Sequence, residues 1–464
     1  MRRDRASRNL LLVSTSTETA KVEPLTAHRD NFTERTHARS RAVGVASSLF
    51  FMTAAFILIK TGRDALYFQG HGLFDLPMAY IGLAILSLPA AVLVLGSIRL
   101  LGPRGARVIV TLAAAAVLAA FVPFARPGGG ALMTTYFMLV PLLFGVLFSL
   151  TWLLASDLLD GIEHSELAGL YSIVGAASIL GGVVGGAAAR TAARHVEPQA
   201  LILIGAGVLA AAALVTAFVQ ARFPQRALTA VSEHVKVAPS TIWDVLRERY
   251  SFLLLAVGML SSLVGILIEF QFYLHAATSG MPSRTNAEFF ASVYLALNAI
   301  ALAVQLIVMP RLQRIVGVQG SLLVLPSALV AGAAGLLANA SVAMRSFLRV
   351  AEGGLKSSIH RVSWEQAYLP MSRAHRAVAK ILVDGAGARI AEGAAALALY
   401  IWIRGSVGSA GSLVGRDTTW VTYLLLVITV LWVILTRALG RRLAPVLAQA
   451  GNREFRPDIP LPDT

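Results

Sequence analysis

Apolar residues in this chain fall into long uncharged runs separated by short polar and basic segments. The runs occupy 43–59, 76–98, 108–125, 131–156, 167–189 and 198–221. A polar interval follows from Arg222 to Arg249, containing Pro224, Pro239, Asp244 and several basic residues. Apolar runs resume at 251–268, 289–310, 315–344 and 418–436, and two further segments, 346–371 and 376–403, are long enough to span but carry charges. A helix needs roughly 20 residues to cross the hydrocarbon core. The runs are too long for buried strands and lack period-2 alternation, so helices win over a β-barrel. The pattern predicts an all-α membrane protein of twelve transmembrane helices in two six-helix halves, 43–221 and 251–437. Residues 222–250 read as a cytoplasmic linker, 1–42 as a disordered cytoplasmic tail and 438–464 as a second cytoplasmic tail.

Composition agrees with that pattern. Of 464 residues, 56% are apolar or aromatic and only 14% charged, and the mean hydropathy is +0.70, well above that of an ordinary soluble chain. A soluble enzyme is therefore disfavoured. The net charge of +15 would suggest nucleic acid in a soluble protein, whereas in a membrane protein a Lys and Arg excess belongs on the cytoplasmic face. The excess sorts that way. The N-terminal tail, the segment around Arg99, Arg104 and Arg107, the linker, and Arg437 to Arg456 carry most of it. Both termini are expected in the cytoplasm, at the bacterial inner membrane. No apolar block precedes Val43, although a secretory signal needs one nearer the start, and five acidic residues between Asp4 and Glu34 argue against a transit peptide. The absence of cysteine excludes disulfides and thiolate sites.

The halves share an internal pattern. Trp152 and Trp364 are each followed 29 residues later by glycine, Gly181 and Gly393. At this 212-residue offset Ala155 matches Ala367, Gly175 matches Gly387 and Ala176 matches Ala388. Parallel duplication of six-helix halves, with a ligand at the midplane between them, is the plan of major facilitator transporters.

Ionisable residues within a span cost about 2.5–3.5 kcal/mol on insertion scales and mark functional sites by default. They gather at Lys60, Arg63 and Asp64, at Glu269, along 349–365 and along 380–392. Arg349, Glu352, Lys356 and His360 have helical spacing and line one face, which must meet a cavity or paired charges. Lys380, Asp384 and Glu392 offer the facing charges. One reading is a structural ion-pair network; the other is an anion site, in which Arg supplies a fork and Lys a point charge. Lys60 and Asp64, four apart, can simply pair. Glu269 has no cation within a turn, so its partner must come from another helix, Lys60 being one choice, or it must accept a proton. Among Phe270, Phe272, Tyr273, Trp364 and Tyr368, packing and base stacking are the competing roles. The run GGVVGG at 181–186 reads as close helix packing.

Phosphate-loop, HExxH and GxSxG motifs are absent. In place of these, FILIKTGRDALY (56–67), the stretch 148–182, LIEFQFY (267–273), LKSSIHRVSWEQAYLP (355–370) and AKILVDGAGARIAEG (379–393) resemble, in order and spacing, the bacterial and plastid nucleotide transporter family, the ATP/ADP antiporters. The chain departs from that family's pattern at Tyr273, where a lysine is usual, and at Arg361-Val362 and Trp364-Glu365, as in a divergent branch. The resemblance implies a major facilitator-like fold and exchange of a nucleotide or similar phosphorylated anion by alternating access. Lys60, Arg63, Lys356, Arg361 and Trp364 are then the candidate substrate-binding residues, and Asp64, Glu269, Glu365, Asp384 and Arg389 the candidate coupling or gating residues. No cofactor or metal is expected. The expected partners are a small anionic solute and membrane lipid, without nucleic acid, the chain acting as a monomer. Alternatives are an exporter of another solute class and a non-transporting sensor or scaffold whose basic tails bind anionic lipid.

Overall fold

The computed structural model describes residues 23–70, 75–126, 130–159, 164–223, 247–278, 282–368, 371, 379–407 and 419–453. Its helices are α1 (Glu23–Gly70), α2 (Asp75–Ala120), α3 (Gly130–Leu159), α4 (His164–Ala193), α5 (Pro198–Arg222), α6 (Arg249–Thr278), α7 (Ser283–Ala303), α8 (Met309–Ala338), α9 (Val342–Leu355), α10 (Arg361–Ala367), α11 (Ala388–Val407) and α12 (Thr419–Arg453). Among the described residues there is no strand, and ten helices are long and apolar enough to cross a membrane. The two other expected spans are also helical. One is the first part of α2, and the other is α9 and α10 joined through a π turn at Lys356–His360. Two further π turns, Val304–Val308 and Ile381–Gly387, lead into α8 and α11.

Two long helices are broken at glycine at related places in the two halves. Gly102 within α2 (φ 68°, ψ 162°) and Gly317 within α8 (φ 65°, ψ −172°) both occupy backbone space essentially reserved for glycine. They stand close to the 212-residue offset of the sequence repeat, so the duplication extends to this break. Gly317→Ala is expected to cost about 1–3 kcal/mol, seen as a lower unfolding temperature in detergent. Gly207→Ala, on a helix with open space around the added carbon, should be neutral by the same measurement.

One expectation about the tails needs correction. Residues 23–42 were expected to be disordered, yet they are helical and continue α1. Ala38, Ala42, Val45, Ala46 and Leu49 recur at helical spacing and are buried against Leu154, Leu158, Leu170 and Val174, so small and apolar residues carry the packed face outward. At the other end α12 runs past residue 437 into the segment expected as the second cytoplasmic tail, and Leu439 and Leu443 remain in the main core. Residues 1–22, most of the linker (224–246) and 454–464 lie outside the described residues.

Within the first half, α1 packs on α3, α4 and α5. Gly181 and Gly185 of α4 let its backbone approach Phe50 and Ala54 of α1, whereas Gly182 and Gly186 face Asn298 and Leu295 of α7 in the second half. The GGVVGG run therefore serves two interfaces at once, one within a half and one between halves.

Candidate functional site

Between the halves lies a cavity of about 760 Å³. The first half contributes Thr53, Phe56, Ile57 and Lys60 from α1, Phe148 from α3, and Ser178 and Ile179 from α4. The second half contributes nearly all of the charge. Three pairs of lining positions obey the 212-residue offset: Thr53 with Gly265, Ile57 with Glu269, and Phe148 with His360. Duplicated positions thus face one another across the cavity, but only the second half has placed ionisable groups on them.

The deep wall is an alternating chain of charges. Lys60 Nζ of α1 lies 3.4 Å from Glu269 Oε1 of α6, and Arg349 Nη2 of α9 lies 3.2 Å from the same oxygen. Arg349 also pairs with Glu352, whose other oxygen accepts from Lys356 Nζ at 3.1 Å. Three cations thus meet two carboxylates. The partner that Glu269 lacks on its own helix comes partly from the opposite half. Such a chain inside a bilayer is tolerable because each carboxylate has two donors and every cation at least one acceptor. Over the whole lining, Lys60, Arg349, Lys356, Arg361 and Arg389 are balanced by Glu269, Glu352, Glu365, Asp384 and Glu392.

Exposure rises along the cavity. The side chains of Lys60, Arg349 and Glu269 are only 12, 13 and 16% exposed, against 40% for Lys356 and 49% for Glu365. The wide end therefore lies where α10 finishes and α11 begins, the end from which α1 starts and at which α6 leaves the linker. There Lys380 pairs with Glu365, and Arg389 with Glu392. Asp384 Oδ1 accepts from Trp364 Nε1 and Tyr368 Oη, each at 2.9 Å. Arg361 lies over the ring of Trp152 in the opposite half, 5.5 Å from its centroid.

The narrow end is closed by aromatic packing. Phe68 of α1 stacks on Tyr273 of α6 at 4.3 Å and approaches Phe290 of α7 at 6.0 Å. Beneath this seal, Asp64 is fully buried. Its Oδ1 takes Arg63 Nε at 2.7 Å, and its Oδ2 takes the hydroxyls of Tyr273, at 2.9 Å, and Tyr294. Arg63 also donates to the Phe137 carbonyl at 3.1 Å and covers that ring at 4.1 Å. The exposed rim adds Arg194–Glu288 and Arg284–Glu197, each at 2.8 Å.

Of the residues singled out in the sequence, Lys60, Glu269, Lys356, Arg361, Trp364, Glu365, Asp384 and Arg389 all line the cavity, while Arg63 and Asp64 sit behind its narrow end. Lys60 and Asp64, within pairing distance by spacing, take other partners. Phe270, Phe272, Tyr273 and Tyr368 are buried away from the cavity, and the aromatic lining is Phe56, Phe148, Tyr294 and Trp364. Phe56 and Phe148 carry no sequence signal that separates them from core residues. The 212-residue offset, applied to His360, would have selected Phe148.

The sequence matches no protein-family profile and no curated protein. Among solved structures, the nucleoside transporter NupG superposes with a TM-score of 0.58 at 11% identity, covering 86% of this chain and 98% of that one. A point mutant of NupG gives the same TM-score at 12% identity, covering 86% and 99%. The all-α, major facilitator-like fold expected from the apolar pattern is thus the fold observed, and the chain is an integral membrane protein.

Proposed function

We propose that this protein is a secondary transporter that moves a nucleoside-like solute across the bacterial inner membrane by alternating access, with both termini in the cytoplasm. The observation that carries this reading is the chain Lys60–Glu269–Arg349–Glu352–Lys356, which links the halves on the wall of a cavity open at one end only. Charges buried in this way are maintained in membranes chiefly along solute or ion paths. The balanced lining favours a solute of little net charge bearing hydroxyl and amino groups. The likeness to a nucleoside transporter supports the same class. In this reading Trp364, Phe56 and Phe148 meet the planar part of the solute, and Lys356, Asp384 and Arg361 meet its polar groups.

A phosphorylated solute, hence nucleotide exchange, is the second reading. Three cations against two carboxylates at the deep wall, with Lys356 two-fifths exposed and held by a single carboxylate, favour it. Uptake and counterflow of labelled nucleosides and nucleotides in proteoliposomes distinguish the two. Saturable nucleoside uptake is expected, with nucleotides competing weakly. Lys356→Ala is expected to lower uptake by about tenfold, the loss of one charged hydrogen bond of about 1.5–3 kcal/mol. No saturable uptake of any nucleoside or nucleotide would overturn the assignment, and normal uptake by Lys356→Ala would return the charge chain to a purely structural role.

A further inference from the structure

The charge arrangement at the narrow end bears on how transport is driven, an inference that rests on the transport reading above. Opening this end must separate α1 from α6 and α7. Lys60 then loses Glu269, and Asp64 loses the hydroxyls of Tyr273 and Tyr294. The two carboxylate oxygens of Asp64 are used differently. Oδ1 is held by Arg63, its neighbour in α1, and that bond is indifferent to the motion. Among the described residues, Oδ2 is held only by the two tyrosines of the other half. Lys60 stands four residues before Asp64, one helical turn away and on the same helix face, within pairing reach. Glu269 keeps Arg349 within its own half.

We infer that Lys60 exchanges Glu269 for Oδ2 of Asp64 as the narrow end opens, so that the carrier changes state without taking up or releasing a proton. Transport is then driven by the solute gradient or by exchange of one solute for another. Every group facing the exchanging pairs is accounted for. Lys60 and Arg63 come from α1, Tyr80 from α2, Tyr273 from α6, Tyr294 from α7, and Arg349 and Glu352 from α9; Lys356 and, from α11, Glu392 lie along the same wall. Each carboxylate that loses a donor across the opening keeps a cation within its own half, so neither Asp64 nor Glu269 needs protonation to be separated. The ammonium of Lys60, the one charge that would otherwise be stranded at a dry interface, moves to an oxygen vacated in the same step.

The distance measurement needs no solute, and the transport measurements use the labelled nucleosides and nucleotides named above. Because the chain contains no cysteine, Thr191→Cys and Thr285→Cys place spin labels on exposed sites at the narrow ends of α4 and α7, in opposite halves. The unaltered background should give a short distance with a minor longer population. Tyr273→Phe removes one competitor for Oδ2 and should enlarge the longer population by about fivefold or more. Asp64→Asn removes the receiving charge and should deplete that population. In proteoliposomes, Asp64→Asn should slow exchange by about tenfold while solute affinity at the wide end stays within about threefold of wild type. Uptake should be unchanged by an imposed pH gradient or a protonophore, and addition of solute should not move the external pH. Solute-driven proton flux, exchange by Asp64→Asn at the wild-type rate, or unchanged distances in Tyr273→Phe would each overturn the partner exchange. Failure to carry any nucleoside or nucleotide, with the label distances still responding, would instead overturn the proposed substrate class.

Discussion

Replacing Gly186 with leucine is expected to abolish transport while leaving the chain folded. A carbon added at Gly186 meets the backbone of Leu295 in α7, with its Cα at 2.9 Å and its nitrogen at 3.1 Å. Backbone cannot rotate away as a flexible side chain can, so α4 and α7 must part. These helices belong to different halves, and the added volume is tolerated once they have separated. The overpacking cost of about 1–3 kcal/mol therefore falls on the state with the narrow end closed and shifts the population toward the open one by about 5- to 150-fold. Spin labels at Thr191→Cys and Thr285→Cys should report a lengthened distance, and uptake should be lost although the protein elutes as a single detergent-solubilised species. Gly185→Leu provides the contrast. Its added carbon would meet the backbone of Ala54 in α1 at 2.7 Å, within one half, so its cost falls on every state and appears as a lowered unfolding temperature. A lengthened label distance in Gly185→Leu but not in Gly186→Leu would contradict the division of labour assigned to the glycine run.

Arg349→Met is expected to have the largest effect on stability of any single charge removal in the cavity. Among the described residues the guanidinium is the only cation paired with both Glu269 and Glu352, which otherwise have Lys60 at 3.4 Å and Lys356 at 3.1 Å. Removing it leaves each carboxylate with a single lysine donor and breaks two pairs at a buried site, where breaking a pair costs about 3–5 kcal/mol. The unfolding temperature in detergent should fall sharply, with low yield of monodisperse protein. Arg349→Met combined with Glu352→Gln should recover part of that loss, because the less exposed of the two carboxylates is gone, Glu269 keeps Lys60, and Lys356, 40% exposed, is within reach of water. Transport should not recover. If the double variant is no more stable than the single one, charge compensation is not what holds the deep wall together.

The apolar pattern alone led to the correct fold class because a bilayer leaves the backbone few options: each span must satisfy its own hydrogen bonds, so long uncharged runs become helices. The same constraint made buried charges conspicuous, which is why Lys60, Glu269, Lys356, Asp384 and Arg389 were recognisable before any geometry was known. The extent of α1 was misjudged because the helical spacing of Ala38 and Ala42 is carried by few residues among many polar ones. The interruption of the charged helix by a π turn at Lys356–His360 had no sequence signature.

Partner choice was beyond the sequence. Helical spacing permits Lys60 to meet Asp64, and in the folded chain Lys60 meets Glu269, 209 residues away, while Asp64 is taken by Arg63 and two tyrosines of the other half. Nor does spacing distinguish Phe148, which lines the cavity, from Tyr273, which seals its end. What the sequence by itself determined was a helical membrane protein, duplicated, with a small set of charges that must be hidden from lipid. Only the tertiary structure decided which charges face each other and which end of the cavity is closed, because local periodicity fixes the face of a helix whereas long-range packing fixes what that face meets.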